Sequence, residues 1–267
     1  MKILDGLDPH QLAAATSKSM KTAIIAGAGT GKTRTLTARI AWLITSEGIS
    51  AEKICAVTFT NRAARELKDR VEEYVGVSAH GLRIGTFHSL SARILRKHAV
   101  KCGFKDSKFS IIDEDDARRI MAEIATDPRV IGPFVPPSDM DDKALKQLEK
   151  DHFSSIGEFS SRVLRQISLW KAWGLSESMV SDPVREARDD ITERMLTAYG
   201  LYQHELERRN CADFGDLILK LVELLECNPE IRAQESGIIA HLLVDEAQDA
   251  NPVQIKLVKL LTSQNGA

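Results

Sequence analysis

The densest chemistry in this sequence lies in one run, Ala26-Gly27-Ala28-Gly29-Thr30-Gly31-Lys32-Thr33. Glycines at this spacing let the backbone wrap around a phosphate group with its N–H groups turned inward. A helix that opens beside such a loop adds the partial positive charge of its N-terminus. Lys32 then reaches the β- and γ-phosphates of a nucleotide, and the Thr33 hydroxyl ligates Mg²⁺. The usual pattern begins with Gly, where this chain has Ala26. A chance glycine-rich turn would not be expected between an apolar strand-like segment and a helical pattern, which is where this run sits.

A second group could complete that chemistry. Leu242-Leu243-Val244-Asp245-Glu246 delivers two adjacent acids at the end of an apolar run. In open α/β sheets ligands bind at the carboxyl ends of strands. Asp245 would hold Mg²⁺, directly or through water, and Glu246 would orient and deprotonate an attacking water. Gln248 would contact the γ-phosphate and report hydrolysis, or alternatively belong to a polar cap.

These residues need a scaffold, and the pattern supplies one. Thr22–Ala26, Lys53–Phe59, Leu82–Gly85 and Ile238–Val244 read as strands. Helical patterns follow the glycine run to Thr45, then span 61–74 and 88–101. Such alternation implies parallel strands with crossover helices. Residues 114–209 read as nearly all helical, broken by a turn-rich stretch from Asp127-Pro128 to Ser138. Asp113 suits an N-cap, and 183–209 reads as one long helix. After Asp213 a helix runs to Cys227, Pro229 closes that unit, and a last helix begins near Pro252. The expected organisation is an α/β parallel sheet with helices on both faces in residues 1–112 and 211–267, interrupted by a helical subdomain over 113–210.

Bulk composition limits the reading less than the motifs do. The 36 Lys and Arg residues against 38 Asp and Glu give a net charge of −2, so nucleic-acid binding would have to come from a local surface. None of the four cysteines sits in a zinc-like spacing, and no apolar run approaches the length of a membrane span. The expectation is a cytoplasmic protein without disulfides.

With both motifs in place, the chain resembles the superfamily 1 DNA helicases of the UvrD/Rep/PcrA type. Ala26–Thr33 resembles their motif I, and Asp245-Glu246-Ala247-Gln248-Asp249 their motif II. Leu7-Asp8-Pro9-His10-Gln11 resembles the Q motif, which implies that Gln11 reads an adenine edge; Arg34 would help hold the nucleotide. Val57-Thr58-Phe59-Thr60-Asn61-Arg62-Ala63-Ala64 resembles motif Ia, and Gly85-Thr86-Phe87-His88-Ser89 the next DNA-contacting motif. The resemblance implies that Phe59, Thr60, Asn61, Thr86 and His88 face single-stranded DNA. Stacking of a base on Phe59 would contribute roughly 1–3 kcal/mol. On residue type alone, Phe59 reads as core and His88 as a helix-start residue.

Asp213-Phe214-Gly215-Asp216-Leu217 resembles the element that precedes motif II, with Gly215 where an acid is common. The fold expected from the resemblance is a P-loop, RecA-like one. The expected ligands are ATP and Mg²⁺, and the expected partners are single-stranded DNA and duplex junctions in repair, replication or recombination. No motif concludes at Gln264-Asn265-Gly266-Ala267, so a second RecA-like half is expected to be missing, with slow hydrolysis and self-association through exposed apolar surface as consequences. The motor of a helicase–nuclease and a nucleotide-gated DNA or protein adaptor remain alternatives. A small-molecule kinase fits the strand-end motifs poorly.

Overall fold

The computed structural model describes residues 3–27, 29–131, 142–184 and 190–262. Helix α1 spans Pro9–Ala15 and α2 Lys32–Thr45; strand β1 spans Ile54–Thr58. Helix α3 follows at Asn61–Val75, strand β2 at Arg83–Thr86 and helix α4 at Phe87–Lys97. A short strand β3 (Ser110–Ile111) precedes α5 (Glu114–Ala125), α6 (Pro128–Ile131), α7 (Asp142–Ala172), α8 (Glu177–Val184) and α9 (Asp190–Arg208). Strand β4 (Cys211–Ala212), α10 (Phe214–Cys227), α11 (Pro229–Ile238), β5 (His241–Val244) and α12 (Pro252–Thr262) follow. They divide between two compact units, residues 1–94 with 222–267 and residues 95–221. Among the described residues no helix is long and apolar enough to cross a membrane.

The first unit is built on a parallel sheet in the order β2-β1-β5. Val57 pairs in register with Gly85 on one side and Val244 on the other, so three carboxyl ends share one edge. β1 is the middle strand, and all five of its residues are buried, as a strand covered on both faces requires. Ile54 and Ala56 pack with Leu36, Ile40 and Leu43 of α2 and Leu67 and Val71 of α3. On the alternate side of β1, burial raises the Cys55 thiol to about 11, which keeps it protonated and inert.

Two strand expectations need correction here. Thr22–Ala26 forms no strand, and Ile25 is 97% exposed. Apolar β-branched residues alone do not make a strand; a ladder partner must satisfy the backbone. β5 is shorter than the apolar run suggested, because Ile238 ends α11, and three of its four residues are only half-buried. It stands at the edge of the described sheet, with β1 on one side. Pro229 also does not close a unit. It opens α11 as a first-turn proline, a role that suits its fixed φ.

Helix α1 is fixed at both ends. Asp8 caps it by accepting from the backbone N–H groups of His10 and Gln11, with Pro9 in the first turn. At the other end Arg39 of α2, 9% exposed, donates to the carbonyls of Ala14, Ala15 and Ser17 at 3.4, 3.3 and 2.9 Å. One guanidinium thus satisfies carbonyls that a helix terminus leaves unpaired. Arg39→Ala is expected to destabilise the first unit by about 2 kcal/mol, measured by urea unfolding. A loss below about 0.5 kcal/mol, the range of ordinary surface changes, would show that water replaces the guanidinium.

The second unit is helical, with one two-residue parallel bridge between β3 and β4 that the sequence pattern did not reveal. Its core joins Ile120, Met121 and Ile124 of α5 to Val163 and Ile167 of α7 and Tyr199, Tyr202 and Leu206 of α9. Asp113 caps α5 as expected, accepting from Asp115 and Asp116 N–H, with three acids in the first turn. Residues 132–138 of the turn-rich stretch and 185–189 of the expected long helix lie outside the described residues. Pro183 belongs to the last turn of α8 rather than to the start of α9.

A buried ionic cluster ties this unit together. Lys171, in the last turn of α7 and 1% exposed, contacts Asp213 at 2.7 Å, Asp216 at 2.8 Å and Gln203 Oε1 at 3.0 Å. Tyr202 donates to Asp213 at 3.1 Å, and Gln203 donates to Asp216 at 3.0 Å. Burial opposes the Lys171 charge, but the Asp216 and Asp213 carboxylates outweigh it and raise its pKa.

Candidate functional site

Helix α2 opens where the glycine run ends. Gly31 is its N-cap, left-handed at φ 87°, and Lys32 is its first residue. Gly29 is also left-handed at φ 74°, a conformation in which a side chain is strained. Thr30 donates its hydroxyl to the Gly27 carbonyl at 2.7 Å, closing the turn. Ala28 lies outside the described residues. A cavity of about 280 Å³ opens beside the loop, lined in part by Asp8, Gln11, Ala26, Thr30, Lys32 and Thr35. That volume is near the low end for small-ligand pockets, roughly 300–1,000 Å³.

The two motifs meet, although 214 residues separate them. Lys32 Nζ donates to Glu246 Oε2 at 2.8 Å, and Gln248 Nε2 donates to the same oxygen. The hydrogen bond to Glu246 raises the Lys32 pKa, and the same bond holds the Glu246 carboxyl below its usual range. Both are therefore charged at neutral pH, and the contact is an ion pair. Glu246 adopts φ 49°, ψ 44°, left-handed backbone unusual for a residue with a side chain. Strain of this kind persists where the surroundings over-determine it. Asp245 extends the sheet by donating its N–H to the Val57 carbonyl at 2.9 Å. Burial, then the neighbouring Glu246 charge, raises the Asp245 pKa.

One hydroxyl and one carboxylate flank the loop, from Thr33 at the start of α2 and Asp245 at the end of β5, donor types that suit a hard divalent cation. Mg²⁺ keeps several waters and takes one or two carboxylates together with substrate phosphates. Among the described residues no group of three or more His, Cys, Asp or Glu forms a ready-made metal site.

Other expected site residues fall in distinct places. Arg34 is exposed, and its guanidinium lies where a Cβ on Gly6 would stand. Phe59 is half-buried, its ring edge-on to Phe87 at 5.8 Å. Thr60 and Asn61 are exposed at the start of α3, and Thr60 caps that helix by accepting from Ala63 N–H. Thr86 is 7% exposed, and its hydroxyl accepts from Ser89 N–H. His88 is half-buried, and burial lowers its pKa. Thr58 and Thr86 are register partners, so these residues gather at the same sheet edge as Asp245 and Glu246. The sequence reading gave no role to Asp8 and Thr35, which also line the cavity. The Asp8-x-x-Gln11 spacing, that of a capping box, was the available signal for Asp8.

Comparison with known proteins decides the family. The profile of the UvrD/REP helicase N-terminal domain matches residues 7–267. The chain belongs to that family. It is 35% identical over 265 residues to a Mycobacterium tuberculosis protein named ATP-dependent DNA helicase UvrD1, covering 99% of this chain and 31% of that protein. It is 33% identical over 264 residues to Staphylococcus aureus ATP-dependent DNA helicase PcrA, covering 98% and 32%. A Mycoplasma capricolum protein named probable DNA helicase II homolog is 36% identical over 262 residues, covering 97% and 33%. The chain therefore spans about a third of the length of these UvrD-type relatives. Within the family's domain, the ion pair of Lys32 and Glu246 and the strand-end residues Phe59 to Asn61 occupy one sheet edge.

Proposed function

We propose that this chain is the ATP·Mg²⁺-binding and single-stranded-DNA-binding portion of an ATP-dependent DNA helicase or translocase. The observation that carries the reading is the 2.8 Å contact between Lys32 and Glu246, at the edge where Phe59, Thr60, Asn61, Thr86 and His88 also stand. Lys32 exchanges Glu246 for the incoming phosphates. Glu246, held by Gln248, then accepts the proton of the attacking water. Thr33 and Asp245 would hold Mg²⁺, which would supply charge neutralisation for the phosphates. Gln248, bonded to Glu246, serves in this reading as the sensor of γ-phosphate loss. The carboxylate of Glu246 favours turnover over the adaptor reading, because a pure nucleotide switch needs no base. Support for a RecA-like domain in 1–112 and 211–267 with a helical insertion over 113–210 comes from the separate helical core of residues 95–221. Duplex junctions are the expected DNA partner of the parent motor.

Turnover by these 267 residues alone is expected to be slow. Among the described residues lining the cavity, Lys32 is the one with a permanent positive charge, whereas an added arginine contributes about 10³–10⁵ in rate in phosphoryl transfer. The test is ATP binding and hydrolysis by the chain, with and without single-stranded DNA, beside Lys32→Ala. Lys32-dependent binding with little turnover is expected. Binding that survives Lys32→Ala would remove the phosphate-loop assignment, and fast DNA-stimulated turnover would show that these residues suffice for catalysis.

A further inference from the structure

Gln11 occupies the third position of α1, and both ends of its amide are engaged. Its Oε1 accepts from the Asp8 backbone N–H at 3.1 Å, completing the capping box. Its Nε2 donates to the Thr30 backbone carbonyl at 3.0 Å, 19 residues along the chain. The next residue, Gly31, leaves just enough room: a Cβ there would stand 2.9 Å from Gln11 Nε2. The Thr30 hydroxyl in turn donates to the Gly27 carbonyl. Hydrogen bonds therefore run from the start of α1, through Gln11, to both ends of the loop's turn. Gly29 stands in open space, with nothing within 4 Å of a Cβ built there.

The peptide geometry gives this tether a consequence. A trans peptide is planar, so the Gly31 N–H points opposite to the Thr30 carbonyl. Whatever fixes that carbonyl also fixes the direction of a loop donor at the N-terminus of α2, where phosphate binding needs it. A glutamine amide carries two N–H donors and two acceptor lone pairs. One of each is used here, which leaves one of each for a base edge.

We infer that Gln11 is a positioning residue for the phosphate loop, clamping the Thr30–Gly31 peptide against α1, beyond any part it plays in reading adenine. The inference rests on the loop being a triphosphate site. A residue that only reads the base affects adenine nucleotides alone. One that aligns the loop affects every triphosphate, including one with no base.

Two measurements on the full 267-residue chain test this. In the nucleotide-free protein, amide NMR order parameters of Gly29 and Gly31 are compared between wild type and Gln11→Glu. That variant keeps an acceptor for the Asp8 N–H and lacks the donor to Thr30. They are expected to fall from about 0.85 to below about 0.6, from rigid to flexible backbone. Second, the neutral Gln11→Met variant is titrated with Mg²⁺–ATPγS and, separately, with inorganic tripolyphosphate. Both affinities are expected to fall about tenfold, equivalent to about 1.4 kcal/mol. Unchanged order parameters overturn the inference, and so does a loss confined to ATPγS, which makes Gln11 a base reader only. Should the wild type bind neither ligand, the triphosphate reading fails, while the order parameters still decide the role of Gln11.

Discussion

Glu246→Gln is expected to tighten the binding of a non-hydrolysable ATP analogue about tenfold while reducing single-turnover hydrolysis at least 100-fold. The two effects come from one oxygen. Glu246 Oε2 holds Lys32 at 2.8 Å, so the lysine must leave that carboxylate before it serves a phosphate. Glutamine keeps the shape and lowers the charge, which frees Lys32 and removes a repulsion with the γ-phosphate. The same change removes the base, and a positioned general base contributes about 10²–10⁴ in rate. Lys32→Ala acts oppositely on binding: the analogue is expected to bind at least tenfold more weakly, since hydrogen bonds to charged groups contribute about 1.5–3 kcal/mol. Equilibrium titration with the analogue and quenched single-turnover assays measure the two quantities. Equal affinity in wild type and Glu246→Gln would show that the ion pair does not compete with nucleotide. Undiminished turnover would take the base role from Glu246.

How much of this site was legible in the sequence depends on what each residue needed in order to be read. The glycine run and the Asp245-Glu246 pair are local patterns with a mechanism, and the structure brings Lys32 and Glu246 into contact. β1 and β2 lie within about one residue of the apolar runs that announced them, because their apolar residues meet partners on the sheet. Thr22–Ala26 has the same composition and no ladder, and composition carries no information about whether a neighbouring strand is present. The roles of Thr86 and Phe59 illustrate a different limit. Their residue types were compatible with DNA contact and with packing alike, and the structure shows Thr86 buried as a helix cap and Phe59 against Phe87.

The largest omission was Lys171. In a helix of 31 residues with mixed charges, one more lysine reads as part of a solvated face. Only tertiary packing places it against Asp213 and Asp216, across gaps of 42 and 45 residues in the sequence. Gly215 has a visible reason here. A Cβ at that position would stand 2.9 Å from Lys171 Cδ and 3.2 Å from its Cβ, so the lysine passes over the start of α10 where a side chain would block it.

That cluster sets up the second large effect. Lys171→Met is expected to destabilise the helical unit by about 3–5 kcal/mol, the cost of leaving buried charges without their partner. The pH dependence separates this from simple loss of packing. In the wild type burial raises the Asp213 pKa, but the Lys171 charge overrides it and the net direction is down. For Asp216, burial and then the Asp213 charge leave the pKa raised, and its Oδ2 has no hydrogen-bond partner among the described residues. A lowered carboxyl pKa contributes stability that is lost as pH falls through it; a raised one contributes stability that is lost as pH rises from the unfolded value toward it. The two carboxylates therefore oppose each other in the wild type. Without Lys171 the strongest influence lowering Asp213 is gone, and only the Asp216 N–H and the Tyr202 hydroxyl still oppose its burial; with Asp216 raised as well, the variant is expected to gain stability as pH falls from 7 toward 5. Adding Asp216→Asn removes one buried charge and is expected to restore about half of the loss and flatten that pH dependence. Urea titrations at both pH values, followed through the fluorescence of Trp170 stacked on Tyr199 at 5.7 Å, supply the measurement. A Lys171→Met loss that is the same at pH 5 and pH 7, and that Asp216→Asn does not relieve, would assign the cluster to shape rather than charge.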